Sequence, residues 1–150
     1  MIRVGAKAHE SEALPLSAEI LRKPLTTAEA RLKNPLALAF VGDTVWDLLI
    51  RQRLLTGDAH AGALHAQAIR LANAGAQAKA NEALRPCLTE SEQDVLRRGE
   101  NAHAKHAAPK NQTAMDYSRA TGLEALFGYL YLSGQAERIC ELFDIAVAIL

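Results

Sequence analysis

The sequence predicts an all-α fold, and three features of it say so. Alanine, a strong helix former, makes up about a fifth of the 150 residues, whereas glycine and proline number only 9 and 5. Apolar residues recur at helical spacing in stretches separated by glycine, proline or capping residues. No stretch shows the period-two alternation of a half-buried strand, and no internal repeat is visible. The length fits one globular domain able to bury roughly two thirds of its unfolded surface. No run of about 18 apolar residues occurs and Met1–Arg22 has no continuous apolar core, so neither a membrane span nor a signal peptide is expected, and the cytoplasm is the expected location. Cys87 and Cys140 form no CxxC pair and are expected to be reduced, mostly buried thiols. With 17 basic against 17 acidic residues the chain is no polycation, so any nucleic-acid contact must rest on a local patch.

Element by element, residues 1–24 mix small, charged and scattered apolar side chains and read as a loosely ordered extension ahead of a domain at 25–150. Thr26 with Glu29 fits a capping box for a short helix. Asn34-Pro35 then supplies an N-cap and a proline at the first helical position, starting a long helix from Pro35 to about Leu55 with Gly57 as its stop. The alanine-rich stretch from Ala59 to about Leu84, interrupted by Gly62 and Gly75 and ended by Pro86, is one bent helix or two. A second capping box, Thr89 with Glu92, opens a helix ending near Arg98, with Gly99 as its stop. A loop follows to Thr113, then an apolar helix over about Met115–Ser133, a break at Gly134, and an amphipathic helix over Gln135–Leu150 with Leu142, Ile145 and Ile149 on one face. About six helical segments in a bundle are expected.

Two of these helices carry carboxylates that do not fit a core. Between Lys33 and Arg51 the only charged residues are Asp43 and Asp47, and between Arg119 and Glu137 the only one is Glu124. A helix apolar on most faces belongs inside the bundle, where an unpaired carboxylate costs several kcal/mol. Three compensations are open: a cation shared by Asp43 and Glu124, salt bridges to distant Arg or Lys, or acids that are protonated or reach solvent. Oxygen-only ligands suit Mg²⁺ or Mn²⁺, and Mg²⁺ takes only one or two protein carboxylates, leaving room for a phosphate oxygen. Phosphodiester hydrolysis is the chemistry that fits. Gly42 beside Asp43, and Gly128 one turn after Glu124, would let two helix backbones approach closely enough for the acids to share an ion. Asp47, one turn after Asp43, is given an outer role.

The same segments resemble the two signature helices of the ribonuclease III endonuclease domain. Phe40-Val41-Gly42-Asp43-Thr44-Val45 resembles its Phe-Leu-Gly-Asp-Ala-Val motif, and Glu124-Ala125-Leu126-Phe127-Gly128 its Glu-Ala-Leu-Ile-Gly motif. The closer match is the short Mini-ribonuclease III branch, which lacks a double-stranded-RNA-binding domain. Asn34 to Phe40 resembles its opening; Leu64-His65 and Ala76-Gln77-Ala78 resemble its middle; Arg97 to Ala102 and Pro109-Lys110-Asn111 resemble its loop. The resemblance runs from about Leu32 to Ala146. It implies a homodimeric helical bundle that is an Mg²⁺-dependent endoribonuclease (Mn²⁺ a possible substitute), with Asp43 and Glu124 as catalytic metal ligands. It also implies cleavage of double-stranded RNA to short 3′ overhangs, one strand per subunit, in maturation of 23S ribosomal RNA, with a large-subunit ribosomal protein helping to present the substrate. Where full-length ribonuclease III carries further acids, four residues before its aspartate and three before its glutamate, this chain has Ala39 and Thr121, as the short branch does.

From Arg97 to Lys110 there are four basic residues and one acidic, so Arg97, Arg98, Lys105, Lys110 and Asn111 are the candidate RNA contacts. Side chains of this kind suit A-form duplex, which is recognised through shape, phosphates and 2′-hydroxyls. The Glu100-x-x-His103 spacing and the His103/His106 pair lack the further ligands that a di-iron or zinc site needs. His65 is read as packing or hydrogen-bonding, and Trp46, Phe127, Tyr129 and Tyr131 as core or dimer interface. Two other functions remain open: a non-catalytic duplex-RNA-binding dimer, in which Ala39 and Thr121 mark lost turnover, and a helical interaction protein whose acids form salt bridges.

Overall fold

The computed structural model describes residues 24–55, 57–102 and 113–150. Among these there are seven α-helices, one 3₁₀ turn and no strand. The helices are α1 (Thr27–Arg31), α2 (Pro35–Leu54), α3 (Ala61–Ala72), α4 (Ala74–Leu84), α5 (Glu90–Asn101), α6 (Ala114–Leu132) and α7 (Ala136–Val147), with the 3₁₀ turn at Arg85–Cys87.

Most helix starts are dictated locally. Both capping boxes form: Thr26 Oγ1 accepts from Glu29 N while Glu29 accepts from Thr26 N, and Thr89 and Glu92 do the same. Asn34 Oδ1 accepts from Leu36 N at 2.8 Å ahead of Pro35. The alanine-rich stretch is two helices, divided at neither expected glycine. The break is at Asn73, whose extended backbone ends α3 while its Oδ1 accepts from Ala76 N at 2.9 Å to start α4. Gly99 also departs from expectation, lying buried inside α5, which continues to Asn101. The last helix stops at Val147, leaving Ile149 exposed. Gly134, at φ 73°, makes the turn between α6 and α7.

Helix α6 is the axis of the bundle, with every residue from Ala120 to Leu130 buried except Glu124. Helices α2, α4, α5 and α7 pack around it. Trp46 of α2 is fully buried, edge-on to Phe127 of α6 at 5.2 Å and to Phe143 of α7 at 5.4 Å, and its Nε1 donates to the Leu71 carbonyl. Trp46, Phe127 and Tyr129 are therefore core, as expected, with Tyr131 half-buried at the edge. The cysteine expectation fails on burial: Cys87 and Cys140 are free thiols and both are exposed. Among the described residues no helix is long and apolar enough to cross a membrane.

Candidate metal centre at a glycine crossing

Glycines hold α6 against two neighbours on different sides. A Cβ on Gly42 would stand 1.6 Å from the Glu124 carbonyl oxygen, and one on Gly128 would stand 1.9 Å from the Leu38 carbonyl oxygen. The backbones of α2 and α6 thus touch where Gly42 meets Glu124. On the other side a Cβ on Gly99 would lie 2.7 Å from that of Ala125, and one on Gly122 would lie 2.8 Å from the Leu96 carbonyl oxygen. The Gly42/Gly128 approach is as the sequence predicts. The Gly99/Gly122 approach is not legible in the sequence, where Gly99 reads as a helix stop, because a glycine near a helix end gives the same local signal in either role.

The first crossing brings Asp43 and Glu124 within hydrogen-bonding reach of one another. They differ in setting, and one expectation is corrected here: Asp43 is exposed, because the face of α2 that carries it lies outside the bundle, whereas Glu124 is half-buried. Burial first, and then the neighbouring Asp43 carboxylate, push the Glu124 carboxyl up to about 8 against the opposing effect of the Gln77 amide. No cation figures among these influences. Salt bridging is therefore not what compensates Glu124 among the described residues.

Other acids and bases nearby are engaged elsewhere. Asp47 accepts from Arg51 Nε at 2.7 Å in an exposed pair. Ala39 is buried, and Thr121 Oγ1 donates to the Tyr117 carbonyl at 2.9 Å, so neither position extends the acid pair. No group of three or more His, Cys, Asp or Glu able to hold a metal occurs among the described residues. Two adjacent carboxylates, one open to solvent, still match the donor set of Mg²⁺, which keeps most of its shell for water and phosphate oxygens.

Of the candidate RNA contacts, Arg97 is exposed and pairs with Asp94 at 2.7 Å. Arg98 turns inward, donating to the carbonyls of Arg31 and Lys33 at the end of α1. Lys105, Lys110 and Asn111 lie outside the described residues, as do His103 and His106. Glu100 accepts from Asn81 and Arg85, which ties α5 to α4 and to the 3₁₀ turn. His65 is exposed beside a small apolar hollow formed with Leu54, Leu64 and Ala68. Two residues do more than the sequence suggests: Gln77, which the sequence offers only as part of a matching string, lies near Glu124, and Glu92, legible only as a capping residue, is buried against Arg138.

An all-α bundle with a carboxylate pair at a glycine crossing is the frame of the ribonuclease III endonuclease domain. Comparison with known proteins agrees, since the Ribonuclease III domain profile matches residues 36–135. Mini-ribonuclease 3 of Symbiobacterium thermophilum is 49% identical over 113 residues, covering 75% of this chain and 86% of the relative. Mini-ribonuclease 3 of Brevibacillus brevis is 43% identical over 130 residues, covering 86% and 96%. An X-ray crystal structure of a Fusobacterium nucleatum protein superposes with a TM-score of 0.72 at 30% identity, covering 79% of this chain and 94% of that one. The chain belongs to the ribonuclease III family, in its Mini-ribonuclease 3 branch. Its class is that of ribonuclease III-type endoribonucleases, a family dependent on divalent metal ions.

Proposed function

We propose that this chain is an Mg²⁺-dependent endoribonuclease that cuts double-stranded RNA, with Asp43 and Glu124 as its catalytic, metal-holding pair and Mn²⁺ as an alternative ion. One observation carries the assignment: two carboxyl groups are held side by side by touching helix backbones, with no salt bridge to either among the described residues. Neighbouring carboxylates in a partly buried site repel each other, and a divalent ion removes that repulsion. When bound, such an ion supplies Lewis-acid polarisation of a backbone phosphate and lowers the pKa of the attacking water. The protein's own work is positional. The rigid crossing fixes Glu124 from behind, and exposed Asp43 meets the side from which a duplex phosphate can approach. Glu124 must give up its proton for the ion, so binding the ion releases a proton below about pH 8.

Residues 25–150 form the catalytic domain in this proposal, with 1–24 as an extension. Arg97, Lys105, Lys110 and Asn111 contact duplex phosphates, with Arg98 in a lesser part because it already anchors α1. A homodimer is supported by α2, where Phe40 is 81% and Leu48 40% exposed on the same side as exposed Ala37 and Thr44. The proposed substrate is precursor 23S ribosomal RNA in the cytoplasm, presented with a large-subunit ribosomal protein, as the motif resemblance implies.

The test is cleavage of a labelled RNA duplex and its single strand, with Mg²⁺ or EDTA, by the wild type, Asp43→Asn and Glu124→Gln. Metal-dependent cutting of the duplex alone, lost in both folded variants, is the expected result. Equal cutting by Glu124→Gln would remove the acid pair from the mechanism. No cutting by the wild type on duplex or ribosomal precursor would leave an RNA-binding dimer.

A further inference from the structure

Two buried side-chain atoms among the described residues have no hydrogen-bond partner, Gln77 Nε2 and Asn81 Oδ1. Both residues lie on α4, one turn apart, at 2% and 0% exposure. Asn81 has a clear structural use. Its Nδ2 donates to the Arg119 carbonyl of α6 at 2.9 Å and to Glu100 of α5 at 3.2 Å. Asn81 also lies 3.4 Å from where a Cβ on Gly122 would be. Going back one turn on α4 from Asn81 to Gln77 goes forward on α6 from Arg119 and Gly122 to Glu124, so the two helices run antiparallel at this seam. Gln77 has no such structural bond. Its amide is near enough to the Glu124 carboxyl to favour the charged form, and its Nε2 makes no hydrogen bond.

A buried amide donor without a partner costs about 1–3 kcal/mol. Its neighbours on α4 are the buried alanines Ala74, Ala76, Ala78 and Ala80, so the packing there is otherwise apolar. The residue is best explained by the carboxyl it faces. We infer that Gln77 is a positioning residue for Glu124, its unpartnered amide N–H placed on the α4–α6 seam to hold one oxygen of the charged carboxylate so that the carboxyl keeps a single orientation towards Asp43. This rests on the reading of Asp43 and Glu124 as the metal-holding pair. Gln77 touches neither RNA nor the ion; it acts through Glu124, as the partners behind metal ligands commonly do, where their loss lowers metal affinity or activity about 10–100-fold.

The experiment measures Mn²⁺ binding by electron paramagnetic resonance on the full chain without RNA, together with kcat and KM for duplex cleavage. It compares the wild type, Gln77→Met, Gln77→Glu and Glu124→Gln. Gln77→Met keeps the length and removes the donor; Gln77→Glu is nearly isosteric and replaces the donor by a third acid. The expected result is Mn²⁺ affinity about 10–100-fold weaker in Gln77→Met, with lower kcat at fixed metal, unchanged KM for RNA and a wild-type melting temperature. If Glu124→Gln loses metal and activity while both Gln77 variants bind Mn²⁺ as the wild type does, the positioning role is overturned and the acid pair stands. If Glu124→Gln binds and cuts normally, both readings fall. If neither Gln77 variant folds, Gln77 belongs to the core and the inference is likewise overturned.

Discussion

Glu92 is buried in this bundle and Glu124 half-buried, and burial acts on both in the same direction, yet they end on opposite sides of the ordinary carboxylate range. For Glu92, burial pushes the carboxyl up, but Arg138 and the Thr89 cap outweigh it and leave the acid lowered. Arg138 grips it twice, Nε to Oε1 and Nη2 to Oε2, each at 2.9 Å, and also donates to the Cys87 carbonyl. The same contacts raise the Arg138 guanidinium in turn. Glu124 has a second acid where Glu92 has an arginine, and it is pushed up to about 8. The difference separates a fastener from a site. A carboxylate that ties α5 to α7 has its counter-charge built into the chain, whereas one that faces another carboxylate is explained by a charge that arrives from outside.

The Glu124 side of that contrast depends on the α2–α6 crossing, and Gly42→Ala breaks it most severely. The new methyl carbon would lie 1.6 Å from the Glu124 carbonyl oxygen and 2.7 Å from Gly128 N. Overpacking against movable side chains costs about 1–3 kcal/mol. Here the obstacle is backbone, so the helices must part, and a loss of about 4 kcal/mol or more is expected, read as a fall or collapse of the thermal transition by circular dichroism. A normal transition would mean that the two helices do not touch.

The Glu92 side is broken by Arg138→Met, which strands a 4%-exposed carboxylate. Loss of one partner of a buried pair is expected to cost about 3 kcal/mol, measured by urea unfolding near neutral pH. Because the Glu92 carboxyl is lowered, its contribution is present above the ordinary carboxylate pKa and disappears as pH falls through the folded value. The double variant Glu92→Gln/Arg138→Met should recover part of the loss. A single-variant effect below about 0.5 kcal/mol would reduce the pair to a surface contact.

How far the sequence made these regions legible depended on whether the cause was local. Capping residues announced themselves, and so did the paired glycines, because Gly42 sits beside Asp43 and Gly128 one turn after Glu124 in otherwise apolar stretches. Glu92 could be read as a capping residue, but its partner Arg138 lies 46 positions away and nothing local points to it. Gln77 was hidden for a related reason: an alanine-rich helix has too little contrast between faces to show which one is buried. The exposure of Asp43 is not legible because α2 is apolar on most faces, yet part of its surface, with Phe40, lies outside the bundle. One chain's hydropathy does not distinguish a face turned to its own core from one turned to a second chain.

The smallest expected effect sharpens the comparison most, because it should reverse sign between the two glutamates. In metal-free protein Glu124 holds a proton up to about pH 8, while in the unfolded chain it loses it near its ordinary value of 4.5. Within that window the native state binds the extra proton, so this group's contribution to stability falls as pH rises, by about 1 kcal/mol per pH unit at its centre. Glu124→Gln removes the term. The difference in unfolding free energy between the variant and the wild type should therefore widen from pH 6 to pH 7, in favour of the variant. Saturating Mg²⁺ should abolish the wild-type slope by keeping Glu124 charged in the native state as well, and should stabilise the wild type more at pH 7 than at pH 6. A parallel pH dependence in wild type and variant would show that Glu124 ionises at its ordinary pKa, and the two glutamates would then differ only in location.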